Sequence, residues 1–229
     1  MPNASPVTAR RSRMTLATST LATSTLALAL ILAFIAGPAA QVAAQPNPPQ
    51  GTPTPETAAD HPIQLTDLMT MMAAVPERRA IFQEEKRFAA LAEPLLSTGH
   101  LIYRRPGHLE KITDAPQAEK LIVDGDHVSL SVANSPTQVT DLSTQPELRV
   151  LVDAMRGPLA GDTAALERAF KVAVRGTRSA WRLDLTPIDP RAAKVLSAVR
   201  ISGSGPTMRE VLLIQANGDT QYMSITPTT

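Results

Sequence analysis

The chain has 229 residues, contains no cysteine and carries a formal net charge of +1 at pH 7. Without cysteine it has neither a disulfide framework nor a lipid-modified N-terminal cysteine. Its near-neutral charge gives no indication that nucleic acid or an anionic membrane surface is the main partner. The indications of function must therefore come from the order of its segments.

The first 44 residues have the layout of a secretory signal peptide. A basic start, made by Arg10, Arg11 and Arg13, precedes a region rich in Leu, Ala and Thr over residues 16–35. Small residues at 42–44 offer a cleavage site before Gln45. Two alternatives are an uncleaved membrane anchor and a twin-arginine signal. The anchor is disfavoured because the uncharged apolar run is shorter than the ~20 residues that a membrane span needs.

Cleavage after residue 44 predicts a periplasmic protein with a net charge of about −2. Residues 45–61 are a run of Pro, Thr, Gln and Ala, which predicts a disordered or extended tether. Residues 62–229 are then enough for one domain with a sizeable core.

The domain opens with a helix and a strand. Leu65, Leu68, Met69 and Met72 follow the spacing of one helical face, and Pro76 marks the expected end. The next strand, residues 78–88, mixes apolar and charged residues on both of its faces, so at least part of it is solvated.

Two β-hairpins follow. Residues 97–105 are predicted to pair with 109–113 around an Arg-Pro-Gly turn, and residues 119–123 with 127–132 around Asp124-Gly125-Asp126. The glycine of the second turn accepts the positive φ that tight hairpins require. A shorter segment with Val139 and Leu142 comes next.

Two helices interrupt the strands. Pro146 is typical of a first helical turn, and apolar residues at helical spacing continue to Leu159. Gly157-Pro158 is expected to end or kink this helix. Asp162 is a natural N-cap for a short helix over residues 163–169.

The remaining chain predicts sheet, and the whole predicts an α+β fold. The candidate strands are 170–175, 180–186, 196–202, 209–216 and 220–226, and a helical turn is possible within 189–195. Because so long an antiparallel sheet curls, we expect a half-open antiparallel β-barrel with helices covering its concave mouth. That architecture tends to leave a cavity.

The order of these pieces resembles the LolA family of periplasmic lipoprotein carriers. Phe82-Gln83-Glu84-Glu85-Lys86 is similar to the family's F-x-Q-x strand, and residues 99–106 resemble its G-x-L-x-x-x-R-P hairpin. Residues 121–126 resemble its L-x-x-D-G turn, residues 181–187 its strand ending in L-x-P, and residues 217–219 its final hairpin.

The resemblance implies a binding function without catalysis or a cofactor. Such a carrier, or periplasmic chaperone, would take the acyl chains of a lipoprotein or another lipid from an inner-membrane exporter to an outer-membrane receptor, as a monomer. It also implies that Arg105 holds a helical lid by hydrogen bonds to backbone carbonyls, and that Leu109 faces the cavity. The family usually has an aromatic residue after that leucine, where this chain has Lys111, so the cargo is a lipoprotein or a different acylated or polyene-like lipid.

The candidate ligand-binding residues, in the cavity or its lid, are Arg105, Leu109, Leu101, Tyr103, Val123, Leu130, Trp181 and Leu183. Sequence periodicity does not separate a cavity lining from a solid core, since both need an apolar inward face. Arg105 has the alternative of an ordinary surface arginine beside a turn. The alternating strands are expected to place no polar cluster inside the cavity.

Other functions have weaker support. His100, His108 and His127 lack metal-ligand spacing, and Ser204 lacks the flanking glycines of a nucleophile elbow. We therefore expect no metal and no catalytic residue. The main alternative to a carrier is a periplasmic lipid-sensing or adaptor protein of the same fold; an enzyme on this scaffold is a third possibility.

Overall fold

The computed structural model describes residues 61–228. The predicted signal peptide and nearly all of the predicted tether lie outside these residues. Within the described part no helix combines the length and the apolar character needed to cross a membrane.

The described chain forms three α-helices and eleven strands. The helices are α1 (Leu65–Ala73), α2 (Pro146–Ala160) and α3 (Thr163–Ala169). The strands are β1 (Glu77–Arg87), β2 (Leu95–Arg104), β3 (His108–Ala115), β4 (Glu119–Asp124), β5 (His127–Val132), β6 (Gln138–Asp141), β7 (Phe170–Gly176), β8 (Trp181–Pro187), β9 (Leu196–Ser204), β10 (Thr207–Gln215) and β11 (Thr220–Pro227). Short 3₁₀ turns lie at Leu142–Thr144 and Ala192–Lys194.

All eleven strands belong to one open antiparallel sheet. Their order is β6-β5-β4-β3-β2-β1-β11-β10-β9-β8-β7, so β6 and β7 are its two edges. The first and last strands of the domain pair at the centre of the sheet. Strands that follow one another in the chain are neighbours in the sheet, except for the edge strands β6 and β7, which the helical segment connects.

One face of the sheet, which we call the inner face, is mostly apolar. Directly opposed residues of antiparallel strands share a face, so Tyr103 of β2, Leu109 of β3 and Val123 of β4 form one row on it. On the other half of the sheet, Leu183 of β8 lies opposite Ile201 of β9 on the same face. All of these residues except Leu109 are buried.

The opposite, outer face carries ion pairs. Glu110 lies 3.3 Å from Arg104 and 2.9 Å from Lys120, and Asp184 binds both Arg182 and Arg200. An antiparallel sheet with one apolar and one charged face needs a cover on the apolar side only.

The three helices pack against one another. Their buried side chains include Leu68, Met69 and Met72 of α1 and Leu151 of α2. Leu166 of α3 lies so close to Gly157 of α2 that a Cβ on this glycine would come within 2.7 Å of it. A helical cluster thus forms the second layer of an α+β fold.

The end of α2 differs from the expectation at Gly157-Pro158. The helix continues through both residues to Ala160, and Gly161 ends it with a φ of 68°. A proline removes one hydrogen bond to the residue four before it, and here only two helical residues follow Pro158, so the helix loses little. The predicted stop belongs to Gly161, which supplies the left-handed conformation of a C-cap.

Gly161 also sets the approach of α2 to α1, which gives a testable difference. A Cβ at Gly161 would lie 2.4 Å from the carbonyl oxygen of Met69, whereas one at Gly125, also at positive φ, meets nothing within 4 Å. Gly161→Ala should destabilise the fold by about 1–2 kcal/mol more than Gly125→Ala. An alanine is strained by the positive φ at either position, but only the Cβ at position 161 would clash with α1. Urea unfolding of the two variants measures the difference; equal losses would show that the close approach costs nothing.

Candidate functional site

Arg78 of β1 connects the sheet to two helices. Its guanidinium donates to the carbonyl oxygens of Met72 at 2.7 Å, Val75 at 3.0 Å and Leu159 at 3.3 Å. Met72 and Val75 lie at the end of α1, and Leu159 lies near the end of α2. The Met72 carbonyl also accepts the backbone N–H of Val75 at 3.3 Å, so the guanidinium adds a charged donor at the helix ends. A cation is favourable there because these are the negative ends of the helix dipoles.

The surroundings of Arg78 are apolar and aromatic. Its guanidinium carbon lies 5.8 Å from the ring centre of Tyr103, which is within cation–π range. Burial lowers the pKa of Arg78 from its usual value. An arginine keeps its charge despite such a shift, so the contact with the helix ends is charge-assisted.

Arg105 binds the same helix end. It is exposed, and its guanidinium donates to the carbonyl oxygen of Ala73, the last residue of α1. Arg105 follows β2 directly, whereas Arg78 lies near the start of β1. Two arginines from neighbouring strands therefore hold the C-terminal end of α1; we call them the arginine pair.

Two further arginines attach α2 to the β4–β5 turn. Arg149 lies 2.8 Å from the carboxylate of Asp126, and Arg156 donates to the carbonyl oxygen of Gly125 at 2.6 Å. Arg156 also pairs with Asp153 one helical turn earlier. Two side chains of α2 thus bind the β4–β5 turn, one through its backbone carbonyl and one through a carboxylate.

The predicted binding residues fall mainly on the inner face. Tyr103, Val123, Leu130, Trp181 and Leu183 are buried, and each lies on that face by strand register. Leu101 and Leu109 share the face and are less deeply buried. Arg105 lies outside the sheet, at the helix end described above. The structure places the predicted apolar residues on one surface, and their role in ligand binding stays a prediction.

The inner face also contains charged residues, which the sequence analysis did not expect. Glu84 of β1 accepts hydrogen bonds from Lys111 of β3 at 2.8 and 2.7 Å, one to each oxygen, and from the hydroxyl of Ser97 at 2.9 Å. The Gln221 amide is a third donor and makes the fourth hydrogen bond to this carboxylate. Lys86 lies 3.4 Å from the same carboxylate. We call these five residues the charged cluster.

The carboxylate of Glu84 has no exposed side-chain surface, while the side chains of Lys86 and Lys111 are 10% and 14% exposed. Burial alone would raise the pKa of Glu84, but Lys111 and Lys86 together lower it, so the carboxylate is held ionised. Burial lowers the pKa of Lys111 and outweighs the opposing attraction of Glu84. The hydrogen bonds of both Glu84 oxygens to one ammonium favour the charged pair over a neutral one.

The charged cluster corrects the expectation that no polar group faces the interior. The pattern of β1 alternates, but both of its faces contain charges, so the sequence did not identify which charges are buried. Lys111, at the position where the resembling family has an aromatic residue, packs its ammonium 5.0 Å from the ring centre of Phe82. The ammonium of Lys111 thus lies over an aromatic ring while it donates to Glu84.

An open cleft of about 570 Å³ lies at the end of strands β7 to β10. It is lined by Trp181 and by charged and polar residues that include Arg175, Arg182, Arg209 and Glu210. Its lining shares only Trp181 with the predicted binding residues. Among residues 61–228 no cluster of three His, Cys, Asp or Glu side chains is arranged to hold a metal ion.

Sequence comparison places this combination of an open antiparallel sheet and helices in a known family. The family model described as outer membrane lipoprotein carrier protein LolA-like matches residues 57–227. The chain therefore belongs to the LolA-like family, which confirms the resemblance drawn from its motifs. No curated protein sequence matched the chain.

Several solved structures are similar in outline. A LolA superfamily protein from Nitrosomonas europaea is 9% identical with a TM-score of 0.40, covering 72% of this chain and 92% of that one. The MucA/MucB complex of Pseudomonas aeruginosa gives 13% identity and a TM-score of 0.40, covering 71% of this chain and 55% of that one. A DUF1329 family protein from Desulfovibrio piger is 8% identical with a TM-score of 0.39, and the match covers 71% of this chain and 88% of that one.

Arg78, like the charged cluster, was not identified from the sequence. Its helix partners include Leu159, 81 residues away, so no local pattern marks it. The one available signal is that an arginine stands in the alternation of β1 on the same side as Phe82.

Loss of Arg78 should release α1. Arg78→Gln should destabilise the fold by about 2–3 kcal/mol and increase hydrogen exchange in α1, because several carbonyls lose a charged donor. Arg79→Gln is the matched control, since the neighbouring side chain is 52% exposed. Hydrogen exchange of residues 65–73 in both variants is the measurement; equal protection of α1 in the two would contradict this role.

Proposed function

We propose that this protein is a periplasmic carrier that binds the acyl chains of a lipoprotein or another lipid and moves them towards the outer membrane. The cargo would lie between the inner face, which we infer to be the concave side of a half-barrel, and the helices that cover it. The observation that carries this proposal is the mostly apolar inner face, opposed by helices whose ends are fastened through hydrogen bonds at Arg78 and Arg105.

Apolar burial supplies enough free energy for such binding. Each buried CH₂ contributes about 0.8 kcal/mol, so a ~14-carbon chain offers roughly 10 kcal/mol. Association costs several kcal/mol of this, which leaves binding that is tight but reversible. A carrier needs both properties because it must release its cargo.

The arginine pair suits a cover that opens. Each charge-assisted hydrogen bond contributes about 1.5–3 kcal/mol, and this is comparable with the burial of two to four CH₂ groups. Entry of a chain can therefore replace the single bond of Arg105 to the end of α1. Membership of the LolA-like family supports this role for Arg105.

The proposal includes the rest of the chain. Residues 1–44 are a signal peptide that is cleaved before Gln45, residues 45–61 form a tether, and residues 62–229 are the carrier domain. The protein acts by binding, without catalysis, and passes cargo from an inner-membrane exporter to an outer-membrane receptor. An N-terminal sequence that starts near Gln45 supports this organisation, and an intact Met1 in the periplasmic protein would contradict cleavage.

Leu109→Glu tests the binding surface. A charge on the inner face should weaken acyl binding at least tenfold, because the carboxylate must be desolvated beside the chain. Ile112→Glu is the control, since Ile112 lies on the same strand with intermediate exposure but on the outer face. Displacement of the uncharged fluorophore N-phenyl-1-naphthylamine by hexadecanol measures affinity.

Equal affinity of the Leu109 and Ile112 variants would contradict the assignment of the inner face. Native mass spectrometry of the protein purified from periplasm complements this test by detecting bound lipid. Co-purified lipid without any transfer to acceptor membranes would favour a lipid-sensing or adaptor protein over a carrier.

A further inference from the structure

The charged cluster contains one cation more than its carboxylate can satisfy. A carboxylate offers about four acceptor sites. Glu84 already accepts from Ser97, from Gln221 and twice from Lys111. Its acceptor capacity is therefore filled before Lys86 is considered.

Lys86 is left with an ion pair and no hydrogen bond. Its ammonium lies 3.4 Å from Glu84 but, within the described residues, donates to no acceptor. Its side chain is nine-tenths buried, yet its nitrogen is not cut off from solvent, because the described structure has no buried polar side-chain atom without a partner. The donors of Lys86 thus remain available to an acceptor that enters from outside the protein.

In the described part of the chain the second cation has no close carboxylate of its own. Glu119 of β4 lies on the same face, where burial raises its pKa and the charges of Lys111 and Lys86 oppose that rise, but it forms no ion pair with either lysine. In residues 61–228 the ion pairs of Lys86 and Lys111 involve Glu84 alone. Two ammonium groups therefore share one closely bound carboxylate in largely desolvated surroundings, with Glu119 as a more distant counter-charge. An acidic group that enters from outside would supply the hydrogen bonds that Lys86 lacks.

The place of this cation in the sheet relates it to an acyl chain. Lys86 and Arg78 lie on the inner face of the same strand, eight residues apart, or roughly 26 Å at the rise of a β-strand. The surface between them contains Ala80 and Phe82 of β1 and Met223 and Ile225 of β11. An apolar path thus runs from the helix-binding end of the strand to the charged cluster.

We infer that Lys86, supported by Lys111, binds the acidic head group of the lipid cargo while the acyl chain extends over the apolar surface towards the helices. This inference rests on the proposed function. The head group is a carboxylate or a phosphate, since both accept the charge-assisted hydrogen bonds that the ammonium lacks. The cluster therefore selects acidic lipids over neutral lipids with the same tail.

Ligands that differ only in the head group test this inference. Hexadecanoic acid, hexadecyl phosphate and hexadecanol are compared at pH 8 by displacement of N-phenyl-1-naphthylamine from the purified protein. The acidic ligand that matches the cargo should bind about tenfold more tightly than the alcohol, the gain of one charge-assisted hydrogen bond. Which of the two acids gains more distinguishes a carboxylate from a phosphate head group.

Lys86→Gln should remove this preference, so that the acidic ligand no longer binds more tightly than hexadecanol. Lys171→Gln is the matched control, because it removes the same charge from an exposed position on β7. A preference that survives in the Lys86 variant would overturn the assignment. If Lys86→Gln does not fold, the comparison of the three ligands on the unmodified protein still decides the question.

The outcomes distinguish failure of the head-group inference from failure of the proposed carrier function. Equal binding of acid, phosphate and alcohol would overturn the head-group inference and leave the proposed carrier function intact. Failure of all three ligands to displace the fluorophore would contradict the proposed function itself.

Discussion

The hydrogen bonds of Arg78 to the ends of two helices are the interaction on which the arrangement of sheet and helices depends. The apolar inner face has to be covered, but a helix end brought to it presents carbonyl groups that lack partners. A guanidinium from the sheet resolves this conflict, because it donates to the ends of α1 and α2 while it lies over the ring of Tyr103. The cover is therefore attached by a few directional contacts, in addition to apolar packing.

The inner face has two different ends. At the start of β1, Arg78 meets the helices; towards its end, Glu84 and Lys86 meet Lys111. The surface between these ends is apolar. This division would suit the amphipathic ligand proposed above, since the tail and the head group of a lipid need different surroundings and the sheet offers both on one side.

Locally encoded features were predictable from the sequence. The Asp124-Gly125-Asp126 and Asn217-Gly218-Asp219 turns depend on a glycine at positive φ, and each lies where its hairpin pattern places it. The apolar spacing of Leu65 to Met72 likewise identifies α1 because a helical face repeats within a few residues. The family membership followed from the order of such pieces.

Features that depend on distant partners were not predictable. Lys111 of β3 reaches Glu84 of β1 across β2, and Arg78 reaches Leu159, which is 81 residues away in the chain. Neither contact can therefore be recognised from the local sequence pattern. In β1 both faces contain charges, and only the pairing with β2 and β11 decides which charges are buried. The predicted apolar residues could be placed on a face, but their use by a ligand is a separate question.

The account's central claim is that an acyl chain lies against the inner face, beneath the helices. Photo-crosslinking with a hexadecanoic acid that carries a diazirine in its chain, followed by peptide mass spectrometry, tests it most directly. The account predicts labels on inner-face residues such as Leu101, Leu121 and Met223, and loss of labelling with excess unmodified hexadecanoic acid. Labels confined to outer-face residues such as Ile81 or Ile122, or labelling that excess hexadecanoic acid does not reduce, would contradict it.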